Sequence, residues 1–289
     1  MKLYLVRHGQ STGNIAGTLM GQSDHPLTPL GEDQARAAAE RLAPFGPMPV
    51  YASDLPRAQA TAQHIVARWR EAGGTDAPRV VLDPRLREIA LGDYEGRPWQ
   101  EFEADVELTA AFAADPYGTA LPNGESLEHL EARAHAVVVE ILAAFGMDDT
   151  GAHRGDAARA DDADAVDRTA DAMRAGAAAA ALDGASAEEM AAALGGAPVE
   201  EVEHDAPGTT ADRPVKTDAG VCLVAHDGPI RAILNHYLGV PPEKWWTLST
   251  THGGVSLIEF GGGCVSIRYI NATGHLVGLE PDRYVPSDN

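Results

Sequence analysis

The chain opens on an apolar run, Leu3-Tyr4-Leu5-Val6, that stops at Arg7-His8-Gly9. A short continuous apolar run bounded by charge and glycine predicts a strand buried on both faces. Thr28-Pro29 then predicts a helix start, with Thr28 as N-cap and Pro29 in the first helical position, where its missing N–H costs nothing. Ala35, Ala38, Ala39 and Leu42 continue at helical spacing. The same alternation returns along the chain. Pro49 to Ser53 reads as a strand, and Asp54 onward as a helix with Ala58, Ala62, Ile65, Val66 and Trp69 on one face. Val80-Val81-Leu82 reads as a strand, Asn123 to Ser126 as a helix start and Leu127 to Phe145 as its helix. Gly220 to Ala225 is a buried strand and Gly228 to Leu238 a helix. Val255 to Phe260 and Val265 to Ile270 form a hairpin across Gly261-Gly262-Gly263. Strands alternating with helices predict a layered α/β domain.

One stretch breaks the pattern. Residues 148–219 hold 17 Asp and Glu against 6 Lys and Arg, a net of −11, with no Phe, Trp or Tyr. A segment that acidic and alanine-rich buries little surface, so disorder, loose helix or a lid is expected there. The reading is a single domain over 1–289 interrupted by an insertion at 148–219. The insertion carries about half of the chain's formal charge of −21. That charge argues against a nucleic-acid partner, which calls for a basic surface. No run approaches a membrane span, and Met1 to Val6 is too short for a signal peptide. Cys222 and Cys264 lie in strand-like runs and read as core thiols. These features predict a cytoplasmic protein with no membrane partner; a homodimer is left open.

Three motifs repeat one design, a strand end followed by polar residues and a helix. They are Arg7-His8-Gly9, Ser53-Asp54-Leu55-Pro56-Arg57, and His226-Asp227-Gly228. In open α/β sheets ligands bind beyond the carboxyl ends of strands, so two strand-end histidines converge if their strands are neighbours. Helix-start N–H groups beside them favour an anion. None of the eleven histidines shows closely paired zinc-ligand spacing, so no metal is called for.

Taken in order, Arg7-His8-Gly9 with Asn14, Ser53 to Thr61 with Arg57, Leu86-Arg87-Glu88, and His226 resemble the histidine phosphatase superfamily, the clan that includes cofactor-dependent phosphoglycerate mutase. Gly21 to Thr28 and Asn123-Gly124-Glu125-Ser126 add to the resemblance. It implies a three-layer α/β/α sandwich with a mostly parallel central sheet, phosphoglycerate mutase-like. It also implies a metal-independent phosphomonoesterase with no cofactor, acting on a small phosphorylated metabolite. His8 would be the nucleophile, with its other ring nitrogen held by the Gly9 carbonyl. Arg7, Asn14, Arg57, His226 and Asp227 would bind the phosphoryl group. Arginine suits that task because its planar fork matches phosphoryl oxygens.

Mutases of this clan differ from the chain around the site. They carry Ser-Gly where it has Met20-Gly21, a Tyr where it has Leu91 and a Lys where it has Trp99. The stretch from Leu86 to Gly96 resembles instead the α-ribazole and glucosyl-phosphoglycerate phosphatases. A phosphatase is therefore expected, with a mutase or a non-catalytic binding module as alternatives. The resemblance nominates Glu88 as proton donor. Asp227, which stands where relatives more often carry glycine, is the competing donor, or else the cap of the helix beginning at Gly228. Glu125 is divided between a helix start and the pocket, and Trp245-Trp246 is assigned to the core.

Overall fold

A computed structural model describes residues 1–73, 78–151 and 220–279. Among them, six strands form one sheet: β1 (Lys2–Arg7), β2 (Val50–Ala52), β3 (Val80–Leu82), β4 (Gly220–Ala225), β5 (Val255–Gly261) and β6 (Cys264–Ala272). The helices are α1 (Thr12–Ile15), α2 (Pro29–Leu42), α3 (Pro56–Glu71), α4 (Trp99–Ala104), α5 (Val106–Ala114), α6 (Leu127–Ala144) and α7 (Asp227–Leu238). Strand order is β3-β2-β4-β1-β5-β6. The pairs β3–β2, β2–β4 and β4–β1 are parallel, and β5 and β6 complete the sheet antiparallel. The alternation predicts this α/β layering, and the mostly parallel sheet is the one the family resemblance implies.

The period-two geometry of β1 sends its side chains into two cores. Leu3 and Leu5 join Leu130, Val138, Ile141, Leu142, Ile230 and Ile233 of α6 and α7 on one face. Tyr4 and Val6 join Ala38, Leu42, Ala62, Ile65 and Trp69 of α2 and α3 on the other. Two helix layers therefore cover the sheet. Each fully buried Leu, Ile or Val side chain contributes about 1.5–3 kcal/mol to that packing.

Local chemistry sets the boundaries. Thr28 caps α2 by accepting from the Gly31 N–H, with Pro29 in the first position, as predicted. The helix expected from Asp54 begins at Pro56, because Leu55 is still extended. The hairpin turns at Gly262 and Gly263, whose φ values of 63° and 71° suit a tight two-residue turn that side chains disfavour. Helices α1, α4 and α5 were not predicted; α4 and α5 bury no residue fully, so they lack the one-sided apolar stripe that periodicity detects. The insertion expected at 148–219 lies outside the described residues except for Asp148 to Gly151, which pack on the domain: Asp149 accepts from the Tyr237 hydroxyl at 2.5 Å. Among the described residues no helix is long and apolar enough to cross a membrane. Cys222 is buried and Cys264 exposed, and neither is in a disulfide.

Candidate active site

Register brings the motifs together. Arg7 pairs with Ala225 across β1 and β4, so His8 and His226 leave the sheet side by side. Ala52 pairs with Val224, which places Ser53 next to His226. The two imidazole centroids are 4.8 Å apart. His8, Arg57 and His226 are each at most 1% exposed.

Hydrogen bonds fix the state of both rings. His8 Nδ1 lies 2.6 Å from the Gly9 carbonyl oxygen, which can only accept, so Nδ1 carries the proton and Nε2 keeps its lone pair. His226 Nδ1 accepts from Arg57 Nε at 3.2 Å, so its proton sits on Nε2, which donates to Ser53 Oγ at 2.8 Å. Burial, and then His226, His252 and the two arginines, push the His8 pKa well below the usual histidine value. Burial and the same arginines do so for His226. Both rings are neutral at pH 7, as a nucleophile and a polarised donor require.

The arginines supply the charge. Arg57 donates through Nη1 to the Ser23 carbonyl at 2.8 Å and through Nη2 to the Gly21 carbonyl at 2.9 Å, and each Nη retains a second N–H. Arg7 donates to the Thr250 carbonyl and stands 3.7 Å from Asp227. Its Nε is buried with no partner among the described residues, as is His252 Nε2. An orphaned guanidinium N–H beside a nucleophile suits an anionic ligand. Asn14 Oδ1 is held by the Ser11 N–H and Oγ, both at 2.8 Å, which leaves the amide nitrogen as the group Asn14 can offer.

Glu88 lies against the start of α7. Its carboxylate accepts from the Ile89 N–H at 2.9 Å and the Gly228 N–H at 3.3 Å. A β-carbon on Gly228 would stand 2.2 Å from Glu88 Oε1, so only glycine allows this approach. Burial first, and then Asp227, raise the Glu88 pKa, with the two backbone N–H groups opposing. The loop is tied down by Arg133, which donates to the carbonyls of Arg85, Arg87 and Glu88 and pairs with Glu125. Glu125 also accepts from the Ala90 N–H, so it holds this loop and is not the cap of α6; Ser126 is.

Asp227 does not cap α7, whose N-cap is His226 with no side-chain bond. One Asp227 oxygen accepts from the Thr250 N–H at 3.0 Å and hydroxyl at 2.8 Å, and the other pairs with Arg231. The tryptophan pair divides: Trp245 is 2% exposed in the core, while Trp246 is 64% exposed with the Arg231 guanidinium 4.9 Å from its ring centroid. Three contributors carried no assigned role in the sequence: Ser53, Thr61, which accepts from the Gly9 N–H and donates to the Arg57 carbonyl, and His252, whose ring centroid is 5.6 Å from that of His8. His252 leads into β5, the antiparallel neighbour of β1, and only that pairing reveals it.

Beside the carboxylates opens a cleft of about 530 Å³, lined by Leu19, Leu91, Trp99, Phe102, Phe112 and Trp246 among others. Among the described residues Arg231 is the one basic residue in its wall, and it is paired with Asp227.

An α/β sheet with paired strand-end histidines, a buried Arg57, a largely buried Arg7 and a shielded carboxyl group suits phosphoryl transfer. Residues 3–150 and 160–273 match the family model of the histidine phosphatase superfamily, branch 1, and the chain belongs to that family. Among curated proteins it is similar to the "Probable phosphoglycerate mutase GpmB" of Enterobacter sp. (strain 638), 38% identical over 143 residues, which is 49% of this chain and 63% of the relative. The Yersinia pestis (strain Pestoides F) protein of the same name is 37% identical over an equal span. The chain thus matches under two thirds of these relatives' length. Among solved structures, mycobacterial glucosyl-3-phosphoglycerate phosphatase is 25% identical with a TM-score of 0.62, over 94% of this chain and 98% of that one. Bacillus stearothermophilus YhfR shares the fold, with a TM-score of 0.62 at 22% identity over 95% of this chain and 98% of that one.

Proposed function

We propose that this protein hydrolyses phosphomonoesters through a phosphohistidine on His8. The observation that carries the reading is the His8 Nδ1 to Gly9 carbonyl bond of 2.6 Å, which leaves Nε2 as a free, neutral nucleophile among buried arginines. In the first step the Nε2 lone pair attacks phosphorus and the ester P–O bond breaks. Arg7, Arg57 and Asn14 stabilise the equatorial oxygens, and His226 joins them as its Nε2–H turns from Ser53 Oγ to a phosphoryl oxygen. Glu88, whose proton is held more tightly than an ordinary carboxyl's because burial and Asp227 raise its pKa, gives that proton to the departing alkoxide. In the second step the Glu88 carboxylate takes a proton from water, the water oxygen attacks phosphorus, the P–N bond breaks and inorganic phosphate leaves. The positive charge comes from arginine, so the proposed steps draw on no metal and no cofactor.

The substrate reading follows from the cleft. The leaving group faces aromatic and aliphatic walls, which favours a small phosphorylated metabolite with an apolar or aromatic body. The names of the curated relatives favour a mutase instead. A phosphoglycerate would need its carboxylate gripped at the far end, where this chain has Leu91 and Trp99. A screen of inorganic phosphate release over aryl, nucleoside, sugar and glycerate monoesters tests the reading. Preference for apolar leaving groups is expected. Interconversion of 2- and 3-phosphoglycerate faster than hydrolysis of any ester would overturn it.

A further inference from the structure

Folding joins residues that the sequence keeps far apart. His135 lies on α6, His236 on α7, and Asp149 just beyond α6; their ligating atoms all fall within 4.8 Å of one another. His135 Nε2 is 3.1 Å from Asp149 Oδ1, and His236 Nε2 is 3.6 Å from Asp149 Oδ2. We propose that His135, His236 and Asp149 form a binding site for a divalent transition-metal ion of the zinc type.

Three observations support it. First, the spacing fits. Metal–N and metal–O bonds of about 2.0–2.2 Å in a tetrahedron set ligand atoms about 3.3–3.6 Å apart, and from the single oxygen Asp149 Oδ2 the Nε2 atoms of His135 and His236 stand at 3.1 Å and 3.6 Å. Second, the ligands are oriented by an outer layer. Glu131, one turn before His135, places Oε1 3.4 Å from His236 Nδ1, so it can take that proton and leave Nε2 facing Asp149. The Tyr117 hydroxyl donates to Glu131 Oε2 at 3.0 Å, and that of Tyr237 to Asp149 Oδ1 at 2.5 Å. Third, the rings lie 3.8 Å apart at 35°, with both Nε2 atoms turned to one carboxylate. One metal ion would use both lone pairs together. Two carboxylates also favour a cation. Asp149 is 38% exposed on its side chain, which leaves the fourth position to water.

The site is separate from the phosphoryl site. His236 lies nine residues beyond Asp227 along α7, about 13 Å at the helical rise. A bound ion would tie α6, α7 and the segment leaving α6 to one another, stabilising the domain by mass action.

Calorimetric titration of the chelator-treated full chain with Zn²⁺ tests the proposal. One equivalent should bind, and His135→Ala and His236→Ala should each weaken binding about a hundredfold or more. Glu131→Gln should weaken it about tenfold or more. Aryl phosphate hydrolysis in metal-free buffer should be unchanged in all three, which checks that they fold. Co²⁺ in place of Zn²⁺ should give the intense visible bands of a tetrahedral complex, lost in His236→Ala. Absence of one-to-one binding, or binding undiminished in both histidine variants, would overturn the proposal; so would Zn²⁺ that inhibits all variants equally while binding each as tightly.

Discussion

Arg57 Nε donates to His226 Nδ1 across 3.2 Å, so the arginine that supplies positive charge also sets the tautomer of the neighbouring histidine. The proton is thereby left on Nε2, facing Ser53. A lysine could keep the charge, but not bond His226, Gly21 and Ser23 from one planar group. Arg57→Lys should therefore lower kcat/KM by about 10²–10³-fold, the cost of losing a preorganised donor set. Ser53→Ala, which removes only the far partner of His226, should cost less than about tenfold. Steady-state kinetics on one aryl phosphate separates the two. A loss below about tenfold in Arg57→Lys would show that Arg57 acts by charge alone.

Glu88 predicts a leaving-group effect. Glu88→Gln should lower turnover by about 10²–10⁴-fold for alkyl phosphates and far less for an aryl phosphate, whose oxygen leaves without protonation. Asp227→Asn should instead raise KM modestly, because Asp227 holds Arg231 and the Thr250 backbone beside Arg7. Should the leaving-group dependence follow Asp227, the two roles are exchanged.

The same pKa sets the pH profile. Glu88 is raised, so its proton is held above the normal carboxyl range. Alkyl phosphate turnover should fall as pH rises through the raised value, and Glu88→Gln should abolish that limb. Its linked stability contribution has the same sign: present below the unfolded-state pKa and lost as pH rises through the folded one. His8 is lowered, so it should add no acid limb near pH 6.5. An acid limb there that persists in Glu88→Gln would contradict the His8 assignment, and a basic limb that persists in that variant would contradict the Glu88 one.

Much of this was legible in the sequence for a physical reason. Strands β1, β2 and β4 are continuous apolar runs because they are buried on both faces, and each ends on a motif at the sheet's carboxyl edge. Thr28-Pro29 and Ser126 mark helix starts through caps that need specific atoms. What stayed hidden depends on tertiary contact. His252 reaches His8 only through the antiparallel β1–β5 pairing, and Trp245 and Trp246, adjacent in sequence, have opposite surroundings. Asp227 fits a cap by position, but Arg231 and Thr250 compete for its oxygens and win.

The cleft predicts where specificity lies. Phe112→Ala should raise KM about five- to tenfold for an aryl or long-chain ester with kcat nearly unchanged, since it removes contact made equally in ground and transition states. Hydrolysis of a small sugar phosphate should hardly change. A uniform loss across both substrates would place the leaving group elsewhere.

Residues 152–219 are proposed to be dispensable for the fold. A short Gly/Ser linker from Gly151 to Gly220, which retains Asp149, should leave the cooperative thermal transition and basal hydrolysis in place, because so polar a segment adds little core. Failure of that variant to fold, judged by circular dichroism, would make the segment structural.

The covalent step on His8 carries the whole mechanism. Rapid quench of the enzyme with a ³²P-labelled monoester should trap base-stable, acid-labile phosphate on the tryptic peptide that contains His8, and His8→Ala should lose both the label and turnover. Label that persists in His8→Ala, or turnover that survives without it, would contradict the account.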